Sequence, residues 1–293
     1  MKQDLSSLIG AIGNIPTDER LSDSALTSLS KIFATLYQLV VNEDLEAEYC
    51  NRRQYRDKIE ELYRIGRQRY EKKDCTGKSR ILPVLYDIAY RLPLSDSRKL
   101  EQCETAAFRL IKSYLQENDK QEWQTEHGIL KCIENAYRHT MEDDRECEEY
   151  TYFKHRIAAW ISEWNAVGSW TGVSEREALS RLEILVQNSE TLLDDTYDAE
   201  IAKIHEYYYR KAEKSGSTED IYTLALLYET TVEITGLKER RSKRKRLAET
   251  AENKLSETAV GSDEWWYSLS VLIKERSLQL SEEIQDTVIA RTA

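Results

Sequence analysis

Glycine and proline are scarce in this 293-residue chain, at 10 and 3 residues. An all-β sandwich or a glycine-rich nucleotide fold needs many tight turns and positive-φ positions, so the scarcity excludes both as the main architecture. Disordered chains are rich in the same residues, so disorder throughout is excluded as well. No apolar run approaches the roughly 18 residues that a membrane-spanning helix requires. The start, Met1-Lys2-Gln3-Asp4-Leu5, has no apolar signal core and the end has no lipidation box, so the expected location is cytoplasmic. The five cysteines, Cys50, Cys75, Cys103, Cys132 and Cys147, are widely spaced with no Cys-x-x-Cys. Reduced thiols are expected, with no disulfide framework, no metal and no cofactor.

Phenylalanine is also rare, at 3 residues against 18 Tyr and 6 Trp. Tyr and Trp join a large apolar body to a polar tip and suit half-buried grooves and interfaces. The formal net charge is −11, which disfavours wholesale wrapping of a polyphosphate but leaves room for a local basic patch.

Helical periodicity recurs along almost the whole chain. Leu26, Leu29, Phe33, Leu36, Tyr37 and Val40 form one stripe over 22–41. Further helices are expected near 43–73, 78–92, 97–116, 119–140, 144–166, 174–192, 195–214, 218–235, 239–258 and 263–288. Pro83 is expected in a first turn, where its missing N–H costs little. Ser174-Glu175-Arg176-Glu177 reads as a capping box, and Gly261-Ser262-Asp263 as a stop followed by a cap. The fold class is therefore all-α.

One apolar quartet, spaced i, i+3, i+4, i+7, keeps returning. Its instances are Phe33/Leu36/Tyr37/Val40, Leu85/Ile88/Ala89/Leu92, Ile129/Cys132/Ile133/Ala136, Leu182/Leu185/Val186/Ser189 and Ile221/Leu224/Ala225/Tyr228. Leu269/Leu272/Ile273 is a shorter sixth. The starts recur every 39 to 53 residues, the range of two-helix repeat units. Second helices carry small residues, as at Ala106-Ala107, Ala158-Ala159 and Ala248/Ala251.

On these residues, and best on Ile221, Leu224, Ala225 and Tyr228, the chain resembles a divergent tetratricopeptide-like α-solenoid. The resemblance implies antiparallel helix pairs in a right-handed superhelix with a concave groove that holds a peptide or partner protein. An irregular helical bundle is the alternative. Residues 1–20 are expected to form an N-terminal helix or cap, and 21–293 a helical-repeat domain of about five to six pairs.

Three enzyme-like motifs are incomplete. Thr76-Gly77-Lys78-Ser79 ends like a P-loop, but Lys72 stands where the first glycine belongs and no strand precedes it; a loop joining two helices is expected. His205-Glu206-Tyr207-Tyr208-Tyr209 lacks the second histidine of a zinc helix, so His205 is expected at a helix–helix contact. The acidic run Glu142–Glu149 lacks the spacing and glycine of a calcium loop and reads as a solvated first turn or a contact for a basic partner.

The expected function is non-catalytic: an adaptor, scaffold or inhibitor that holds a protein or peptide, with self-association as a further option. The candidate contact residues are Tyr86, Tyr90, Tyr137, Trp160, Trp164, Tyr208 and Tyr228. Between 238 and 246 lies a basic cluster, Lys238, Arg240, Arg241, Lys243, Arg244, Lys245 and Arg246. It fits a helix start that pairs with an acidic helix of the same fold, a partner contact, or a nucleic-acid backbone contact, the last defining the alternative function. Trp265-Trp266-Tyr267 is expected to cap the end of the stack or to form a partner surface.

Overall fold

The computed structural model describes residues 22–42, 52–91, 97–116, 122–140, 148–166, 173–192, 198–215, 221–234 and 240–292. Eleven helices and no strand occur among them. They are α1 (Asp23–Asn42), α2 (Arg52–Lys72), α3 (Cys75–Arg91), α4 (Ser97–Gln116), α5 (Trp123–Thr140), α6 (Glu148–Ala166), α7 (Glu175–Leu192), α8 (Asp198–Ser215), α9 (Ile221–Glu233), α10 (Arg240–Glu257) and α11 (Asp263–Thr292). The chain divides into two compact units, Met1–Glu163 and Trp164–Ala293. The expected terminal element over 1–20 lies outside the described residues.

The helix starts have identifiable causes. Ser22 Oγ accepts the Ala25 N–H at 3.0 Å, Asp74 Oδ1 accepts the Gly77 N–H at 2.8 Å, and Ser262 Oγ accepts the Trp265 N–H at 3.2 Å. Ser174 Oγ accepts the Glu177 N–H at 3.2 Å, as the capping box predicts. Gly261, at φ 84°, makes the left-handed turn before the last helix.

The Asp74 cap corrects two expectations. Thr76–Ser79 is the first turn of α3 and not a loop, and Pro83 therefore lies inside the helix. Proline has no N–H, so the Ser79 carbonyl four residues back loses its usual helical donor. Ser79 is fully buried, and Gly128 of α5 packs directly on that carbonyl. A Cβ at 128 would stand 2.4 Å from the Ser79 oxygen. Only glycine fits this approach.

In the first unit α3 is central: it packs on α1, α2, α4 and α5, and most extensively on α5. In the second unit α9 takes that place, packing on α7, α8, α10 and α11. The quartet residues Leu85, Ile88, Ala89, Ile129, Cys132, Ile133, Leu182, Leu185, Val186, Leu224, Ala225 and Tyr228 are all buried. Each unit is thus built around apolar stripes at helical spacing.

Candidate functional site

In the first unit a cleft of about 610 Å³ opens between the α2–α3 corner, α4 and the start of α5. Its walls carry Tyr70, Lys78, Arg109, Ser113, Tyr114 and Glu122. The Tyr70 hydroxyl donates to the Ala106 carbonyl at 3.3 Å, and the Lys78 ammonium stands 5.7 Å from the Tyr70 ring centre. Burial raises the Tyr70 phenol above its usual range. Glu122 accepts from the Thr76 and Thr125 hydroxyls at 3.0 and 3.4 Å.

Behind the cleft lies Glu126, a buried carboxylate that ties three helices together. Tyr114 of α4 donates its hydroxyl to Oε1 at 2.7 Å. Arg156 of α6 donates Nε and Nη2 to the same oxygen at 3.1 and 3.0 Å, and Trp160 Nε1 donates to Oε2. A buried carboxylate that accepts from a guanidinium and two neutral donors is fully compensated. Burial and the adjacent Glu126 carboxylate hold the Tyr114 phenol protonated.

The outer face of α4 is unusual. Phe108 is 70% exposed and Leu115 43%. They lie seven residues apart, two turns along one face, with Lys112 between them. Arg109, also exposed, sits at the rim of the cleft. Neither Arg109 nor Lys112 has a carboxylate partner among the described residues. The inner stripe of α4, Cys103, Ala106, Ala107, Leu110 and Ile111, is buried. Phe108 and Leu115 fall on the opposite side of that stripe, a helical-wheel signal present in the sequence and missed in favour of Tyr and Trp.

The expected contact residues are not gathered on one open face. Tyr86, Trp164, Tyr208 and Tyr228 are buried. Tyr228 donates to Glu275 at 2.8 Å, and the Arg181 guanidinium lies 5.1 Å over the Trp164 ring. Trp160 is half-buried and held by Glu126. Tyr90 is 53% exposed. The Tyr137 side chain lies outside the described residues.

The basic cluster is also divided. Lys243 is buried, donates to Glu206 of α8 and stands 4.8 Å from the Tyr209 ring centre. Arg244 is buried beside Glu275 of α11 at 3.2 Å. The expected intramolecular pairing therefore occurs, but with Glu206 and Glu275; most of the acidic run 142–149 named for it lies outside the described residues. Arg240 is half-buried, Arg241, Lys245 and Arg246 are exposed, and Lys238 is not described. His205 does sit at a helix–helix contact, with Nε2 at 2.8 Å from Thr231 Oγ1 of α9. Trp266 is fully buried and meets Trp265 edge-on at 4.7 Å.

Among the described residues no group of His, Cys, Asp and Glu is placed to hold a metal ion, and no helix is long and apolar enough to cross a membrane. No family model, no curated protein and no solved structure matches the chain.

Proposed function

We propose that the chain is a non-catalytic protein-binding scaffold or adaptor, built as a divergent tetratricopeptide-like α-solenoid. The observation that carries the binding reading is the exposed apolar pair Phe108 and Leu115 on α4. A large ring in water, on a helix whose other side already fills the core, marks a surface that gains from a partner.

The repeat architecture is supported by how the helices pair. Within the first unit α1 packs on α3 and α3 on α5; within the second, α7 packs on α9 and α9 on α11. Contacts between alternate as well as successive helices are what stacked two-helix repeats produce. The quartets fall on these alternate helices. The nucleic-acid alternative has less support, because Lys243 and Arg244 turn inward and leave fewer cations for a phosphate backbone.

The test is a site-specific photo-cross-linker placed at Phe108, Tyr152, Tyr207 or Val260, all exposed positions. A scaffold gives a discrete protein adduct from at least one position in cells of its source. Adducts of twice the chain mass identify self-association. Absence of protein adducts from all four positions overturns the reading.

A further inference from the structure

Along its whole length α10 divides into an inner and an outer face. Lys243, Arg244, Leu247, Ala248 and Ala251 are buried. On the opposite side of the helix the exposed charges fall into two groups. Arg241, Lys245 and Arg246 occupy the first half, and Glu249, Glu252 and Glu257 the second. The other exposed positions of that face, Ser242, Asn253 and Ser256, are uncharged. This order runs against the helix dipole, which favours carboxylates at the start and cations at the end. Lys254, on the flank, conforms to the dipole in the last turn. Spacing within the helix compensates only part of the order. Lys245 and Arg246 share Glu249 at four and three residues, and Lys254 stands three before Glu257, but Glu252 has no opposite charge at that spacing. Neighbouring helices extend the division. Arg276 of α11 is exposed and follows Glu275, which meets Arg244 in the basic half. Glu264 of α11 is exposed next to the acidic end of α10. Helix α8 joins the basic half through Glu206 and Lys243, and exposes Lys203, Arg210 and Lys211 among its described side chains.

We propose that this face pairs with the same face of a second copy of the chain, the two α10 helices lying antiparallel about a two-fold axis at the level of Ala248 and Glu249. That axis sets Lys245 of one copy against Glu252 of the other, and Arg241 within one residue of Glu257. The two Glu249 carboxylates fall near the axis, each within one turn of an Arg246 from the other copy. The reversed dipoles are compensated as well, because the acidic end of each helix lies against the cationic start of the other. The order of the charges selects this occupant. A uniformly acidic or uniformly basic partner would be repelled by one half of the face, and parallel copies would set like against like. A two-fold contact requires a surface complementary to itself, and a charge-segregated strip has that property. The strip is about 24 Å long and one helix wide, smaller than the roughly 800 Å² per partner of a stable complex, so the dimer is weak and reversible.

This goes beyond the scaffold reading and does not depend on it. A strictly monomeric chain that still yields adducts with another protein would remove this inference alone. The test is sedimentation equilibrium of the full chain, up to about 1 mM, in roughly 0.1 M salt. There the Debye length of about 10 Å screens the remote repulsion between two copies of net charge −11 more than it screens contacting pairs. The expected result is a mass that rises with concentration from 34.3 kDa towards twice that value. Association should weaken about tenfold in roughly 1 M salt. It should weaken by at least about tenfold in Arg241→Glu/Lys245→Glu/Arg246→Glu and in Glu249→Lys/Glu252→Lys/Glu257→Lys, and an equimolar mixture of the two variants should restore it. All six positions are exposed, and a circular-dichroism melt verifies that the variants fold. A photo-cross-linker at Ser256 of the otherwise unchanged chain should capture residues 240–242 of the second copy, which fixes the antiparallel order.

Four outcomes overturn the proposal. They are a monomer mass for the unchanged chain at every concentration, undiminished association in either charge-reversed variant, a mixture of the variants that stays monomeric, and cross-links from Ser256 to the acidic half of the second copy. The last would make the contact parallel.

Discussion

The two units enclose their central helices by different chemistry. In the first, α3 presents Ile81, Leu82, Leu85, Ile88 and Ala89 to its neighbours, and the buried charges among the described residues are Lys58, beside Glu61 at 3.1 Å, and Glu126. In the second, α9 takes Thr223, Glu229, Thr230 and Thr231 into the interior. There Glu229 accepts from Lys274, Tyr228 donates to Glu275, and Arg244 lies against that same carboxylate. Thr230 and Thr231 return their hydroxyls to carbonyls one turn back, Leu226 at 3.0 Å and Leu227 at 2.6 Å. An apolar seam tolerates small slips of one helix on another, whereas a buried ion pair has one register in which both charges are compensated. The second unit therefore gains definition at some expense in raw stability.

The largest test of this contrast removes one cation from each unit. Arg244→Met leaves Glu275 charged and enclosed with only two neutral donors, the Tyr228 hydroxyl and the Gln279 amide, and should cost about 3–5 kcal/mol. Arg156→Met leaves Glu126 with Tyr114 and Trp160, and because Arg156 is 25% exposed water replaces part of the loss, for a cost of about 2 kcal/mol. Hydrogen exchange resolved by peptide separates the units. Equal effects would erase the distinction. Replacing Arg244 and Glu275 together by Met and Leu should recover most of the first loss, less about 1 kcal/mol for the orphaned Tyr228 hydroxyl.

A smaller effect probes the apolar seam. Gly128→Ala drives a methyl into the Ser79 backbone and should destabilise the first unit by about 2 kcal/mol. Gly66→Ala meets the Leu85 Cδ2 methyl at 2.6 Å, and that side chain can turn aside. The gain in helix propensity of about 1 kcal/mol should then cancel most of its cost. Urea midpoints of the two variants provide the measurement, and a Gly66 variant worse than the Gly128 variant would contradict the rigid-carbonyl account.

The smallest effect near neutral pH is acid sensitivity, shared by both units. Burial, with Lys131 nearby, lowers His127 to about 3; burial, with Lys243 nearby, lowers His205 to about 4. Both rings stay neutral in the folded chain where the unfolded chain binds protons. Their contribution is complete above the ordinary value of 6.5 and shrinks as pH falls towards the folded values. Each histidine adds up to about 1.4 kcal/mol of loss per pH unit in that window. His205→Gln should flatten the pH profile of the second unit alone, and His127→Gln that of the first. A profile unchanged in either variant would assign the acid loss to carboxylates. Glu206, held low by Lys243 and Arg210, keeps its ion pair further into acid.

Helix positions were legible because apolar stripes, serine caps and the Gly261 stop are local signals. The inward turn of Lys243 and Arg244 was less so, since every neighbour in 238–246 reads as equally basic. Its trace is the stripe that continues through Leu247, Ala248 and Ala251, for which Lys243 and Arg244 occupy the preceding turn. Tyr228 was legible as both core and contact residue, and the quartet spacing gave the correct answer. The place of Pro83 was less legible, because Gly77 reads as a turn residue whereas the Asp74 cap starts the helix before it. Phe108 and Leu115 were legible only against the buried stripe of their own helix, because an exposed apolar pair on one helix does not recur along the chain.

Pro83 and Gly128 are 45 positions apart in sequence and meet at a single oxygen. Their contact sets an order on how this chain can change over generations. Replacing the proline first restores an N–H to its helix and gives the Ser79 carbonyl an internal partner. Replacing the glycine first places a methyl in the oxygen's path while the oxygen still lacks its donor. Lineages descending from this sequence can lose Pro83 while Gly128 stays, and any descendant that has lost the glycine should have moved α5 away from α3.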